Sequence, residues 1–166
     1  MSQHGAYGYA LHDKGYRFIL AHYYQGTSIG TTDPHQIVRV LLSTGSATFS
    51  GATRAGSTQL HASESYQVRA LADGSLELVS RSGAPVGRFT APLTVSGPRP
   101  LALAGKRYRG SFVFRPDGAA GVETVNAVPL DAYVRGVVAA EMPAGWLPAA
   151  LEAQAVAART FALTGG

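Results

Sequence analysis

The sequence predicts an α+β fold, with short helices at both ends around a central, β-rich and mostly antiparallel region. Three observations carry this expectation. Apolar residues recur with helical period near the start of the chain and again near its end. Between these ends lie short β-branched and aromatic runs punctuated by glycine and proline. Two Asp-Gly pairs, Asp73-Gly74 and Asp117-Gly118, stand between such runs where hairpin turns belong.

In "GYRFILAHYYQGT" the apolar residues Tyr16, Ile19, Leu20, Tyr23 and Tyr24 share one helix face, and Gly26 is the expected stop. The preceding "SQHGAYGYALHDKG" reads as a further short helix closed by Gly15. Its Gly5 and Gly8 weaken it unless something approaches the backbone closely. Ile37 to Ser43 is apolar and β-branched, a strand. The stretch "STGSATFSGATRAGSTQ" is small and polar, so it reads as a flexible excursion. "YQVRAL" and "LELVS" flank the first Asp-Gly turn as a hairpin. "VGRFTAPLTV" and "LALAG" read as short strands. "KRYRGSFVFRPDG" reads as one alternating strand, with Tyr108, Phe112 and Phe114 on one face and Arg107, Arg109 and Arg115 on the other. The second Asp-Gly turn leads into "VETVNAV".

The end is helical again. Pro129 suits a first helical position, and Asp131 complements the helix dipole. Leu130, Tyr133, Val134, Val137 and Val138 form a stripe whose next members are Glu141 and Met142, just before Pro143 stops the helix. Gly136, in its middle, predicts close packing there. A second, alanine-rich helix starts near Pro148. Three segments are expected within one domain: helical 1–30, a β-rich insert 31–100, and a core over 101–166.

With 166 residues and 46% hydrophobic side chains, the chain can bury a core. Only 14% of residues are charged, and the net charge is +4, mostly from arginine. That balance suits an anionic partner, and equally a merely Arg-rich protein. The absence of cysteine excludes disulfides and thiolate metal sites. His4, His12, His22, His35 and His61 show no zinc-like pairing, so no metal site is expected. No apolar run is long enough to span a membrane, and the first residues lack the pattern of a signal peptide. The arginines and aromatics of 106–118 alternate onto opposite faces, as in a half-buried strand, so no nucleic-acid partner is expected.

The chemistry centres on Glu141. Helical spacing puts this carboxylate on the apolar stripe at a helix C-terminus, where desolvation and the dipole both favour the protonated form a general acid needs. A helix-terminal glutamate turned into solvent is the other reading of the same spacing. Trp146 and the paired tyrosines offer flat surfaces for sugar rings, or core packing.

The string "VPLDAYVRGVVAAEMPAGW…LEAQAVAARTFAL", together with the opening "MSQHGAYGYALHDKGYRFILAHYYQGT", closely resembles the stage II sporulation protein D (SpoIID/LytB) family. Its catalytic members are lytic transglycosylases of bacterial cell-wall glycan, and others are described as amidase enhancers. The resemblance implies that Glu141, in "AAEMPA", is the essential acid. It implies that this one carboxyl group protonates the glycosidic oxygen and then takes the proton of the muramic acid 6-hydroxyl, which closes a 1,6-anhydro ring. Gln3 and His4, from the Met-Ser-Gln hallmark, are expected in the same groove. Tyr23, Tyr24, Trp146, Gln154 and Arg159 complete the candidate substrate-binding set, with core or supporting roles open for the tyrosines and Arg159. No cofactor is implied. The expected partners are peptidoglycan glycan strands and, for the enhancer reading, a cell-wall amidase; the expected location is extracytoplasmic or wall-associated. In the best-known members the Met-Ser-Gln segment follows the glutamate helix, whereas here it precedes it. The chain is therefore expected to be a piece of a longer, or permuted, domain.

Overall fold

A computed structural model describes residues 1–118 and 121–164. The chain divides into two compact units, one formed by 1–38 with 129–166 and the other by 39–128.

The first unit is helical and built from both ends of the chain. Helix α1 spans Gln3–Leu11, α2 Tyr16–Tyr23, α3 Leu130–Glu141 and α4 Pro148–Thr164. Ser2 caps α1, its hydroxyl accepting from the Gly5 N–H at 3.1 Å. The helix ends at Leu11, before Asp13 (φ +58), and Gly15 is the N-cap of α2 rather than the end of α1. Ala6, Ala10, Ile19, Leu20, Ala150 and Ala153 form the core of this unit. Four of the six are alanines, so the helices approach closely, as the alanine-rich sequence predicts. Gly5 serves that approach, since a side chain there would run into the Tyr23 hydroxyl. Gly136 does not: among the described residues nothing lies within 4 Å of the position its Cβ would take, so the expected close packing is not found there. Pro129 is also displaced from its expected place. It is the N-cap of α3, with ψ 137°, and Leu130 is the first helical residue. No described helix is long and apolar enough to cross a membrane.

The second unit holds two six-stranded sheets. The strands are β1 (Ile37–Ser43), β2 (Ala47–Ser50), β3 (Arg54–Ala55), β4 (Thr58–Gln59), β5 (Ser65–Ala70), β6 (Leu76–Ser80), β7 (Pro85–Phe89), β8 (Leu93–Ser96), β9 (Leu101–Leu103), β10 (Lys106–Tyr108), β11 (Ser111–Asp117) and β12 (Gly121–Pro129). One sheet has the order β1-β12-β11-β8-β3-β4, the other β10-β9-β2-β5-β6-β7. Every pair of strands whose register is described is antiparallel. Phe49 of one sheet lies 5.3 Å, centroid to centroid, from Phe114 of the other, inside an apolar core drawn from both sheets. The hairpin β5–β6 turns at Gly74 (φ +79), as the Asp-Gly pair predicts.

Two expectations fail in this unit. The polar excursion 43–59 contains β2, β3 and β4, and Ala47, Phe49, Ala52 and Ala55 in it are buried. Its inward residues are mostly alanine, which fills a sheet interface without raising the local hydropathy. The alternating run 106–118 is two strands in different sheets, broken at Gly110 (φ +87). A Cβ on Gly110 would lie 2.9 Å from that of Val128, so only glycine fits the break.

Candidate functional site

Helix α3 stops at Glu141 because Met142 turns extended (φ −128°, ψ 139°) ahead of Pro143. Met142, only 4% exposed, takes the buried position at the helix end. Glu141 itself is exposed, which corrects the sequence expectation that the stripe would bury it. The buried members of α3 are Leu130 and Val134; Val137 and Val138 are half-buried, so the cover thins before the last turn. The desolvation argued from the stripe therefore has no basis in the structure.

What the structure does supply at Glu141 is a pair of amide donors from two other helices. The Gln154 Nε2 of α4 and the Gln3 Nε2 of α1 both donate to Glu141 Oε2, the latter at 3.3 Å. Gln154 is one of three buried polar side chains among the described residues, 9% exposed. Gln3 is half-buried and arrives from 138 positions earlier in the chain. Among the described residues no cationic side chain pairs with Glu141.

Beside this carboxylate lies an aromatic group. Pro143 to Trp146 form a turn closed by the Trp146 N–H on the Pro143 carbonyl at 3.0 Å. The half-buried Trp146 ring stacks on Tyr7 (4.6 Å, 14° between planes) and receives the edge of His4 (5.3 Å, 72°). One face of Trp146 is thus covered by the protein's own tyrosine. The sequence reading missed Tyr7. Its position four residues after Gln3 on a helix puts both on one face, which is the signal that would have found it.

The remaining candidates are placed as follows. Tyr23 is half-buried over Gly5, with its ring edge-on to Tyr9 and to His22. Tyr24 is exposed at the end of α2. Arg159 does not reach Glu141. Its guanidinium meets Asp131 Oδ1 at 3.5 Å, at the opposite end of α3, and Arg135 holds the other oxygen of Asp131 at 2.7 Å. Ten residues separate Asp131 from Glu141, about 15 Å along the helix axis. The structure therefore brings Gln3, Gln154 and Glu141 into one hydrogen-bonded group, sets His4, Tyr7 and Trp146 alongside, and leaves Arg159 outside.

Residues 119–165 match the family model described as stage II sporulation protein, SpoIID. The chain is 43% identical over 68 residues to stage II sporulation protein D of Bacillus subtilis (strain 168), a match covering 41% of this chain and 20% of that one. It is 40% identical over 86 residues to the protein of the same name from Bacillus amyloliquefaciens, covering 52% of this chain and 25% of the relative. An uncharacterised protein of Brachyspira hyodysenteriae is 44% identical over 63 residues, 38% of this chain and 17% of its own length. The chain thus spans between a sixth and a quarter of the length of these relatives. No solved structure matches it.

Proposed function

We propose that this chain, whose residues 119–165 match the SpoIID family model, is a peptidoglycan lytic transglycosylase with Glu141 as acid and base. The observation that carries the reading is the 3.3 Å bond from Gln3 to Glu141. It joins the Met-Ser-Gln segment to the "AAEMPA" segment, the two stretches that resemble the family, across nearly the whole chain. Glu141 protonates the glycosidic oxygen as the C1–O bond breaks. The resulting carboxylate then accepts the proton of the muramic acid 6-hydroxyl as its oxygen bonds to C1. The carboxyl group ends as it began, and no water is consumed.

A single acid suffices for this route, whereas hydrolases use two. The other carboxylates on α3 and α4 are placed for other work. Asp131 is tied to Arg135 and Arg159, and Glu152 is exposed on α4. Exposure of Glu141 suits a substrate that is itself a long polymer and needs an open approach. Trp146, His4 and Tyr7 give the neighbouring surface on which a sugar ring can rest. The reading places the protein at the cell wall, outside the cytoplasm.

The test is digestion of purified glycan strands followed by mass spectrometry. Wild-type protein is expected to yield 1,6-anhydro ends. Glu141→Gln is expected to lose them by about 10²–10⁴-fold while still binding glycan. Anhydro ends released at the wild-type rate by Glu141→Gln refute the assignment.

The same exposure favours a second reading, a wall-binding module that stimulates an amidase. Protein that leaves glycan uncut but accelerates an added cell-wall amidase, with or without Glu141, decides for it.

A further inference from the structure

We propose that Gln154 and Gln3 are positioning residues that anchor one oxygen of Glu141 and leave the other, Oε1, as the atom that gives and takes the proton; this rests on the transglycosylase reading. The geometry behind it is asymmetric. Both amide donors converge on Oε2, from two different helices, and among the described residues no protein group bonds Oε1. A carboxylate oxygen that already accepts two N–H bonds is a poor place for a proton, because a proton there would have to displace a donor. The proton therefore resides on Oε1, on a side chain exposed to an incoming polymer.

The anchoring donors also need to be held. Gln154 is buried on a helix lined with alanines, so its amide has few alternative partners and its rotamer is fixed by packing. Gln3 is fixed differently. It is the first residue of α1, directly after the Ser2 cap, so the helix start sets its direction. A glutamate at a helix end would otherwise sample several rotamers, and misplacement by about 1 Å is enough to cost a catalytic group 10²-fold. This role differs from contact with substrate: Gln154 acts through Glu141 and touches no sugar.

Two measurements test it. In the folded protein, the side-chain amide ¹H–¹⁵N signals of Gln3 and Gln154 are compared with those of Glu141→Ala. Both pairs of signals are expected to move, because the bond to the carboxylate is lost at an exposed position whose removal spares the core. Unmoved Gln154 signals overturn the proposal. Activity supplies the second arm. Gln154→Met keeps the buried volume and removes the donor, and is expected to lower kcat by about 10–100-fold with KM within about twofold. Gln3→Met is expected to act in the same sense and less strongly. A raised KM with unchanged kcat would mean that Gln154 binds substrate, which also overturns the proposal. If Gln154→Met does not fold, the amide signals still decide. If the signals move while wild-type protein makes no anhydro ends, the anchoring stands and the transglycosylase reading fails.

Discussion

A methyl group added at Gly5 would collide with the Tyr23 hydroxyl, whereas one added at Gly136 would meet no atom of the described residues within 4 Å. Both glycines weaken a helix on paper, and their neighbourhoods give them opposite fates. Gly136 lies mid-helix and exposed, so Gly136→Ala is expected to stabilise the protein by about 1 kcal/mol, the usual helix-interior difference. Gly5→Ala is expected to destabilise by about 1–3 kcal/mol, because the rigid Tyr23 ring must move out of the α1–α2 contact. Adding Tyr23→Phe should recover part of that loss by removing the hydroxyl. The recovery is partial because the ring carbon that bore it still lies 3.2 Å from the new Cβ. Urea unfolding of the four proteins measures the coupling; strict additivity of Gly5→Ala and Tyr23→Phe would refute the contact. The same local reasoning explains the fate of Glu141. Helical spacing assigns residues 141 and 142 to one stripe, and only the tertiary cover of the last turn decides that Met142 goes in and Glu141 stays out.

At the scale of elements, helices α2, α3 and α4 and the hairpin β5–β6 were legible because each is coded locally, by periodicity, proline and Asp-Gly. Strands β2 to β4 were not, since alanines and a lone Phe49 do the burying and, apart from the two-residue pairing of β3 with β4, their partners lie further along the chain in β5, β8 and β9. Nor was the break at Gly110 legible, because alternation continues across it. Inside the candidate site, Glu141 and the Met-Ser-Gln segment were marked by resemblance, but the bond between Gln154 and Glu141 needs two helices docked in register. Buried polar groups in the β unit give opposite predictions. Asn126 donates to the Arg109 and Ser111 carbonyls at 2.9 and 3.1 Å, on either side of Gly110. Asn126→Leu strands both acceptors and is expected to cost about 1–3 kcal/mol. Thr124 of the same strand is fully buried, and its hydroxyl has no partner among the described residues. Thr124→Val keeps the branched shape and removes the orphan, so thermal unfolding should show equal or higher stability, by up to about 1 kcal/mol. The β5–β6 turn adds a pH dependence. The Ser75 hydroxyl and N–H, and more weakly the Arg88 guanidinium, hold the Asp73 carboxyl below its usual range. A depressed carboxylate contributes fully above its unfolded value of about 3.9 and loses that contribution as the pH falls below it. Asp73→Asn should therefore lower stability at neutral pH, with the gap between the two proteins closing as the pH falls below about 3.9; a gap that stays constant from about pH 7 into the acid range would contradict this.

At the scale of the whole molecule, the chain divides its charge as it divides its fold. Residues 39–128 carry ten basic and five acidic side chains, while the helical unit carries four and five, so the net positive charge belongs to the β unit. The helical unit holds every residue of the candidate site, and its two chain segments meet where the β unit is inserted. The Leu130 N–H bonds to the Gln36 carbonyl at 2.9 Å, and the Asp131 N–H to the Pro34 carbonyl at 3.0 Å. Two ends that close to each other can be rejoined by a few flexible residues, because closing a short loop costs little once its ends are already adjacent. A variant in which a short Gly-Ser linker replaces 39–128 is expected to fold as a helical protein in which Gln3 and Gln154 still reach Glu141. Circular dichroism would show helix without strand, and the side-chain amide signals of both glutamines would keep the positions they have in the full chain. Where the full chain binds an anionic polymer in a salt-sensitive way, the variant should lose that attachment, because the cationic excess leaves with the β unit and screened attraction between charges is what salt weakens. If the linker variant is unfolded, or if it retains that attachment with the same dependence on salt, then the β unit is not the separable, charge-bearing insertion that the contact pattern and the charge distribution describe.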